Sequence, residues 1–342
     1  MNRSILLLYT GGTIGMKTNP ETGVLSPFKF DQIEQEVPEL KKFNISLNTL
    51  TFNPPIDSAN VTPEPWCKIA HVIRDNYDAY DGFVVLHGTD TMSYSASALS
   101  FMTENLSKPI IFTGSQIPIG VLRTDGKENL ITAIEIAAAQ ENGRPVVPEV
   151  CVYFQNKLFR ANRTRKHNAD QFNAFRSDNY PALADVGISI QYNYPCIRHI
   201  DSFMPPFNIS TNLDRNVIVI KIFPGMNPEV FRAMLSIPGL RAAVLETYGS
   251  GNAPTDEWFI DYLEEAIARG VIVMNVTQCH AGTVAMDRYE TGIRLQNIGV
   301  VSGRDITTES AITKLMYLLG QNLSPVKMSE YLNRPIRGEI TV

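Results

Sequence analysis

Two short runs place hydroxyl groups among glycines in a way that suits nucleophilic chemistry. Thr10-Gly11-Gly12-Thr13-Ile14-Gly15 follows one apolar run, and His87-Gly88-Thr89-Asp90-Thr91 follows another. Three glycines within five positions let the first run turn sharply and approach a ligand closely. Its backbone N–H groups could face an anion or a developing oxyanion. The run matches neither G-x-G-x-x-G nor a Walker A loop, and a phosphate loop or a plain tight turn remains open for it. The second run offers a hydroxyl and a carboxylate, but Asp90, Thr91 and Ser93 are also good N-cap types, so helix capping explains it equally. A threonine hydroxyl is a weak nucleophile at neutral pH and needs a base nearby. His87 stands inside the second run. A lysine with a depressed pKa is the other option, and Lys166 in Asn162-Arg163-Thr164-Arg165-Lys166-His167 is the candidate, unless that basic run is solvated surface.

Those residues need elements to hold them. Ser4–Tyr9, Leu47–Phe52, Gly82–His87, Pro109–Gly114 and Glu149–Phe154 are apolar or alternating runs of strand length. Between them lie helical stretches: Pro63–Asn76 with Thr62 as N-cap, Ser93–Asn105, and Glu128–Gln140. Near-continuous apolar strands alternating with helices predict an α/β fold with a largely parallel sheet covered on both faces. Ligands in such sheets sit beyond the carboxyl ends of the strands, where both threonine runs begin. The pattern breaks from about Ile190 to Arg215, then resumes. Val217–Phe223, Arg241–Thr247 and Val271–Thr277 are expected strands, and Pro228–Leu235, Asp256–Arg269 and Glu309–Leu319 expected helices. The expected organisation is two α/β domains, a larger one over 1–195 and a smaller one over 213–342, joined by a linker at 196–212.

With 342 residues, 44% hydrophobic and 19% charged, the chain has the composition of an ordinary folded protein. A formal net charge of -5 without a Lys/Arg stripe argues against nucleic acid as a partner. The apolar amino-terminal run is too short for a membrane span and lacks a small-residue cleavage site, so neither a membrane anchor nor a signal peptide is expected. Cys67, Cys151, Cys196 and Cys279 form no C-x-x-C pair, which suits a reducing compartment. The five histidines show no metal-ligand spacing, so no metal is expected.

TGGTI at 10–14, HGTDT at 87–91 and RKH at 165–167, in that order, resemble the bacterial-type L-asparaginase family. The resemblance extends over essentially the whole chain, including YGSGNAP at 248–254 and VTQC at 276–279, and is closest to the cytoplasmic type I branch. It implies hydrolysis of L-asparagine to L-aspartate and ammonia through a threonine acyl-enzyme, without cofactor. By the same resemblance Thr13 is the nucleophile, and Thr89, Asp90 and Lys166 form a second constellation in which the lysine and aspartate polarise the threonine. Gly12, Asp57, Ser58, Ala59, Thr89, Asp90 and Ser115 become the substrate-binding candidates, with Ser58 gripping the α-carboxylate. Ser115 and Gln116 are amide-side contacts or turn residues. The alternatives are a glutaminase-asparaginase of broader specificity and, in a different class, a non-catalytic amino-acid sensor.

The chain departs from the family in three places. No tyrosine lies in Met16–Pro27, where many members carry one on a mobile loop. Tyr289 matches a tyrosine donated by a neighbouring subunit in some members, and Asn252 would sit at the same contact, so a homodimer or homotetramer is implied. Glu246 stands where an arginine binds a regulatory asparagine, and Arg165 replaces a small hydroxyl residue, which argues against that regulation. Cys279 is then expected to pack as a small apolar residue.

Overall fold

The computed structural model describes residues 3–18, 25–27, 37–200, 203, 205–288 and 290–342. The chain divides into two compact units, Met1–Ser210 and Thr211–Val342.

Unit 1 is built on an eight-stranded sheet. Its strands are β1 (Arg3–Tyr9), β2 (Ile45–Thr51), β3 (Gly82–Leu86), β4 (Ile110–Thr113), β5 (Val150–Phe154), β6 (Lys157–Arg160), β9 (Ala184–Val186) and β10 (Ile190–Tyr192), in the order β10-β9-β6-β5-β4-β3-β1-β2. A separate two-stranded ribbon, β7 (Arg165–Lys166) with β8 (Phe175–Arg176), lies between β6 and β9 in sequence. The first five strands run parallel, and β6, β9 and β10 continue the sheet antiparallel. β3 and β5 are buried at every position, as continuous apolar strands between two helical layers should be, whereas the edge strand β2 alternates. Helices α1 (Pro63–Asp75), α2 (Met92–Met102) and α3 (Gly126–Ala138) connect the parallel strands. α1 starts at Thr62 and Pro63 and turns Trp66, Ile69, Ala70 and Ile73 inward on one helical face. α2 is buried at all but one of its positions. Two of its serines bond carbonyls, Ser97 that of Ala161 and Ser100 that of Ala96.

The strand order has a physical consequence. From β1 the chain steps to one side to make β2, then returns to the other side to make β3. The adjacent β1 and β3 therefore flank a topological switch point, the place beyond the strand ends where ligands bind in sheets of this kind.

Unit 2 has a four-stranded, wholly parallel sheet: β11 (Val217–Lys221), β12 (Ala242–Thr247), β13 (Ile272–Thr277) and β14 (Val301–Ser302), in that order. Its helices are α4 (Pro228–Leu235), α5 (Glu257–Ala268), α6 (Glu290–Asn297), α7 (Thr308–Gly320) and α8 (Pro325–Asn333). Beneath the end of the chain lies a buried ion pair. Lys314 Nζ sits 2.7 Å from Glu339 Oε1, with the two side chains only 1% and 0% exposed. The same amine donates to the Arg334 carbonyl, and the carboxylate accepts from the backbone N–H groups of Ile336 and Arg337. Among the described residues, no helix is long and apolar enough to cross a membrane.

The expected class, two α/β domains with a mostly parallel larger sheet, is the one observed. α6, α8, β14 and the antiparallel extension β9–β10 lie outside the elements expected from sequence.

Candidate active site

The switch-point crevice collects the loops after four strands. β1 leads into Thr10–Gly15, and the last three residues of that run form a 3-10 turn. Thr10 fixes the start of the loop through its N–H and its hydroxyl, both donated to the Leu86 carbonyl at 3.0 and 2.8 Å. Gly11 and Gly12 have φ of +141° and +93°. A β-carbon at Gly11 would lie 2.0 Å from the Ile56 carbonyl oxygen, and one at Gly12 would lie 2.5 Å from the Gly88 nitrogen. A β-carbon at Gly88 would in turn lie 2.4 Å from Ser58 Oγ. The turn after β1, the loop after β2 and the turn after β3 are thus in backbone contact, and only glycine allows that approach. Thr13, Ser58 and Thr89 are brought to one place by it.

Ser58 is buried, and its carbonyl accepts the Thr91 hydroxyl at 2.7 Å. Asp57 caps the short turn at Ser58–Asn60, its carboxylate accepting from the Ala59 N–H at 3.1 Å; Asp57 and Ala59 are both exposed. Thr91 occupies the N-cap of α2 but makes no side-chain cap bond, so its hydroxyl serves the Ser58 loop instead. The turn after β4 carries Ser115, whose buried hydroxyl has no hydrogen-bond partner among the described residues. Gly126 lies against both Ser115 and Ile14, which sets this turn beside the one holding Thr13.

Lys166 arrives from the β7–β8 ribbon. Its Nζ donates to Thr89 Oγ1 at 2.9 Å and to Asp90 Oδ1 at 2.6 Å. The lysine side chain is 20% exposed and the aspartate 63%. The basic run around it is not a solvated strip: Arg163 is buried and stacks with Arg160 over the Tyr180 ring.

This arrangement is found together with extensive similarity to known proteins. The family described as "Asparaginase, N-terminal" matches residues 4–198, and "Glutaminase/Asparaginase C-terminal domain" matches 216–332. The chain belongs to the asparaginase family. It is 43% identical to L-asparaginase 1 of Escherichia coli (strain K12), over 99% of this chain and 98% of that protein. It is also 39% identical to the 60 kDa lysophospholipase of Homo sapiens, over 99% of this chain but 62% of that protein. The crystal structure of L-asparaginase I from Vibrio cholerae superposes with a TM-score of 0.90 at 42% identity, covering 100% of both chains.

Within this asparaginase fold, His87 is not placed to act as the base. It is buried, with Nδ1 2.7 Å from the Gly88 carbonyl oxygen and Nε2 2.9 Å from Ser95 Oγ. A carbonyl only accepts, so Nδ1 carries the proton and Nε2 accepts from the Ser95 hydroxyl. Ser95 Oγ accepts in turn from Trp66 Nε1 at 2.8 Å. Burial pulls the imidazole pKa down from 6.5 to about 4. The unfolded chain therefore takes up a proton that the folded one refuses as pH falls from 6.5 towards 4, and stability drops by up to about 3 kcal/mol across that window. Denaturant titrations at several pH values should show a shallower pH slope in His87→Gln, by close to one proton, whatever that variant's absolute stability. An unchanged slope would place the proton uptake elsewhere.

Asn252 bridges Tyr248 and accepts the Thr291 hydroxyl at 3.3 Å; Tyr289 lies outside the described residues. Glu246 accepts the Thr308 hydroxyl at 2.6 Å, with Lys221 at 3.9 Å. The packing expected of Cys279 is corrected: the residue is exposed, in the turn after β13, where its N–H donates to Thr277 Oγ1. Among the described residues, no group of three or more His, Cys, Asp or Glu side chains is placed to hold a metal.

Proposed function

We propose that the protein hydrolyses L-asparagine to L-aspartate and ammonia, with Thr13 as nucleophile and Lys166, Thr89 and Asp90 as the polarising group. The observation carrying this reading is the contact of Gly12 with Gly88, which sets Thr13 beside the Lys166–Thr89–Asp90 cluster. An amide carbon is a poor electrophile, so the reaction needs a nucleophile, donors for the oxyanion and a proton for departing ammonia. Thr13 Oγ attacks the side-chain amide carbon and its proton passes through the cluster to the nitrogen that leaves as ammonia; water then cleaves the resulting ester, giving the acid and restoring the Thr13 hydroxyl. Ser58, Asp57 and Ala59 take the α-carboxylate end, Asp90 the α-ammonium, and Gly12 and Ser115 the amide side. The chemistry is assigned to the N-terminal domain, with 196–212 linking it to the C-terminal α/β domain.

The working form is a homodimer or homotetramer, with Tyr289 and Asn252 reaching a neighbouring subunit's site, and the compartment is the cytoplasm. The absence of a disulfide among the four cysteines suits the reducing setting. Glutamine differs from asparagine by one methylene, which a pocket separates by only about 10–200-fold, so weak glutamine turnover is expected as well.

Ammonia release from L-asparagine and L-glutamine, with a lysophospholipid assayed alongside, tests the reading. Asparagine turnover exceeding glutamine turnover supports it. A folded protein inert toward both amides would defeat it, and cleavage of the lysophospholipid alone would redirect it.

A further inference from the structure

Gln116 follows β4 and is half-buried. Its backbone N–H is held by both carboxylate oxygens of Asp125, at 2.9 and 3.1 Å. Its side-chain Nε2 donates to the carbonyl oxygens of Ala169 at 2.9 Å and Gln171 at 3.2 Å. Both belong to the loop between β7 and β8, the ribbon that carries Lys166. Carbonyl oxygens only accept, so the end of the amide facing that loop is the nitrogen, and Oε1 faces the other way. There it meets Thr89 Oγ1 at 3.2 Å. Oε1 cannot donate, so the Thr89 hydroxyl proton points at Gln116. The Thr89 oxygen is left to accept from Lys166 Nζ at 2.9 Å.

We infer that Gln116 is a positioning residue: one amide fixes the orientation of the Thr89 hydroxyl against Lys166 and tethers the loop that presents Lys166. The inference rests on the reading of Thr89 and Lys166 given above. Without the amide, the Thr89 hydroxyl loses its acceptor, and its proton is free to swing away from the one direction that leaves its oxygen lone pair on Lys166. The ribbon pairs only two residues on each strand, and the two bonds from Gln116 join the loop at its tip to the turn after β4. The loop's own turn stays intact, because Asn168 Oδ1 still accepts from the N–H groups of Asp170 and Gln171.

The test compares Gln116→Met, which keeps the length and loses both hydrogen-bonding ends, with Gln116→Glu, which keeps an acceptor for Thr89 and loses the donors to the loop. Gln116→Met is expected to lower kcat for asparagine by about 10–100-fold with KM changed less than threefold, and Gln116→Glu to recover part of that loss. A folded Gln116→Met enzyme with kcat within twofold of wild type overturns the inference, as does a change confined to KM. Amide hydrogen exchange over residues 167–174 is read in parallel and needs no substrate. Faster exchange in both variants than in wild type upholds the tether, and equal rates overturn it. Should the wild type release no ammonia, the functional reading fails by itself while the exchange comparison still decides the tether.

Discussion

Thr13→Ala is expected to reduce ammonia release from L-asparagine by at least about 10³-fold while leaving the fold intact. The substitution removes one hydroxyl and one methyl from a half-buried side chain at the start of a 3-10 turn, a conformation alanine adopts freely. The glycines that shape the loop precede it and are untouched. Its stability cost should stay within about 0.5 kcal/mol, a Tm change of about 1 °C or less for a chain of this size. Calorimetric binding of L-aspartate should persist, because the Ser58 loop and Asp90 remain. The combination of lost turnover, retained binding and retained Tm is what a missing nucleophile produces. Activity within tenfold of wild type would instead move the nucleophile to another group, Thr89 first.

Lys166→Met should cost kcat about 10³-fold, and so should Thr89→Val. The double variant should be little worse than either. The amine contacts Thr89 and Asp90 directly, so the lysine and the hydroxyl are one device, and removing either part disables it. The cost to folding is modest because Asp90 is mostly exposed and can be rehydrated. Steady-state kinetics on the two single variants and the double decide it. Losses that multiply would mean the two side chains act in separate steps.

The sequence made the framework legible because β1, β3, β4 and β5 are near-continuous apolar runs of strand length, while the edge strand β2 alternates. The two threonine runs could be placed at strand ends for the same reason. Their contact could not. Nothing local in Gly11-Gly12 or His87-Gly88 says that these backbones touch, since the approach depends on β1 lying between β2 and β3. Lys166 was readable as a residue type, but its position depends on a two-residue ribbon with no periodicity to detect. From sequence Gln116 is only an amide-side or turn residue, because its side-chain partners lie 27 and more positions away. Helix α8 was missed although Ser324-Pro325 is a start signal, an N-cap followed by proline at the first position. His87 was left open by sequence, and its ring turns into the core through Ser95 and Trp66.

The buried pair of Lys314 and Glu339 changes what the last residues of the chain are. Residues 334–339 curl around the lysine amine, and Asp305 then accepts both the backbone N–H and the hydroxyl of Thr341. A shortened version ending before Glu339 would strand a lysine amine inside helix α7's packing with no counter-charge, a defect of about 3–5 kcal/mol. Anyone trimming this enzyme for crystallisation, display or fusion should therefore treat residues 334–341 as an interior part of the second domain. A ribosome that stalls before position 339 leaves the second domain without its anchor.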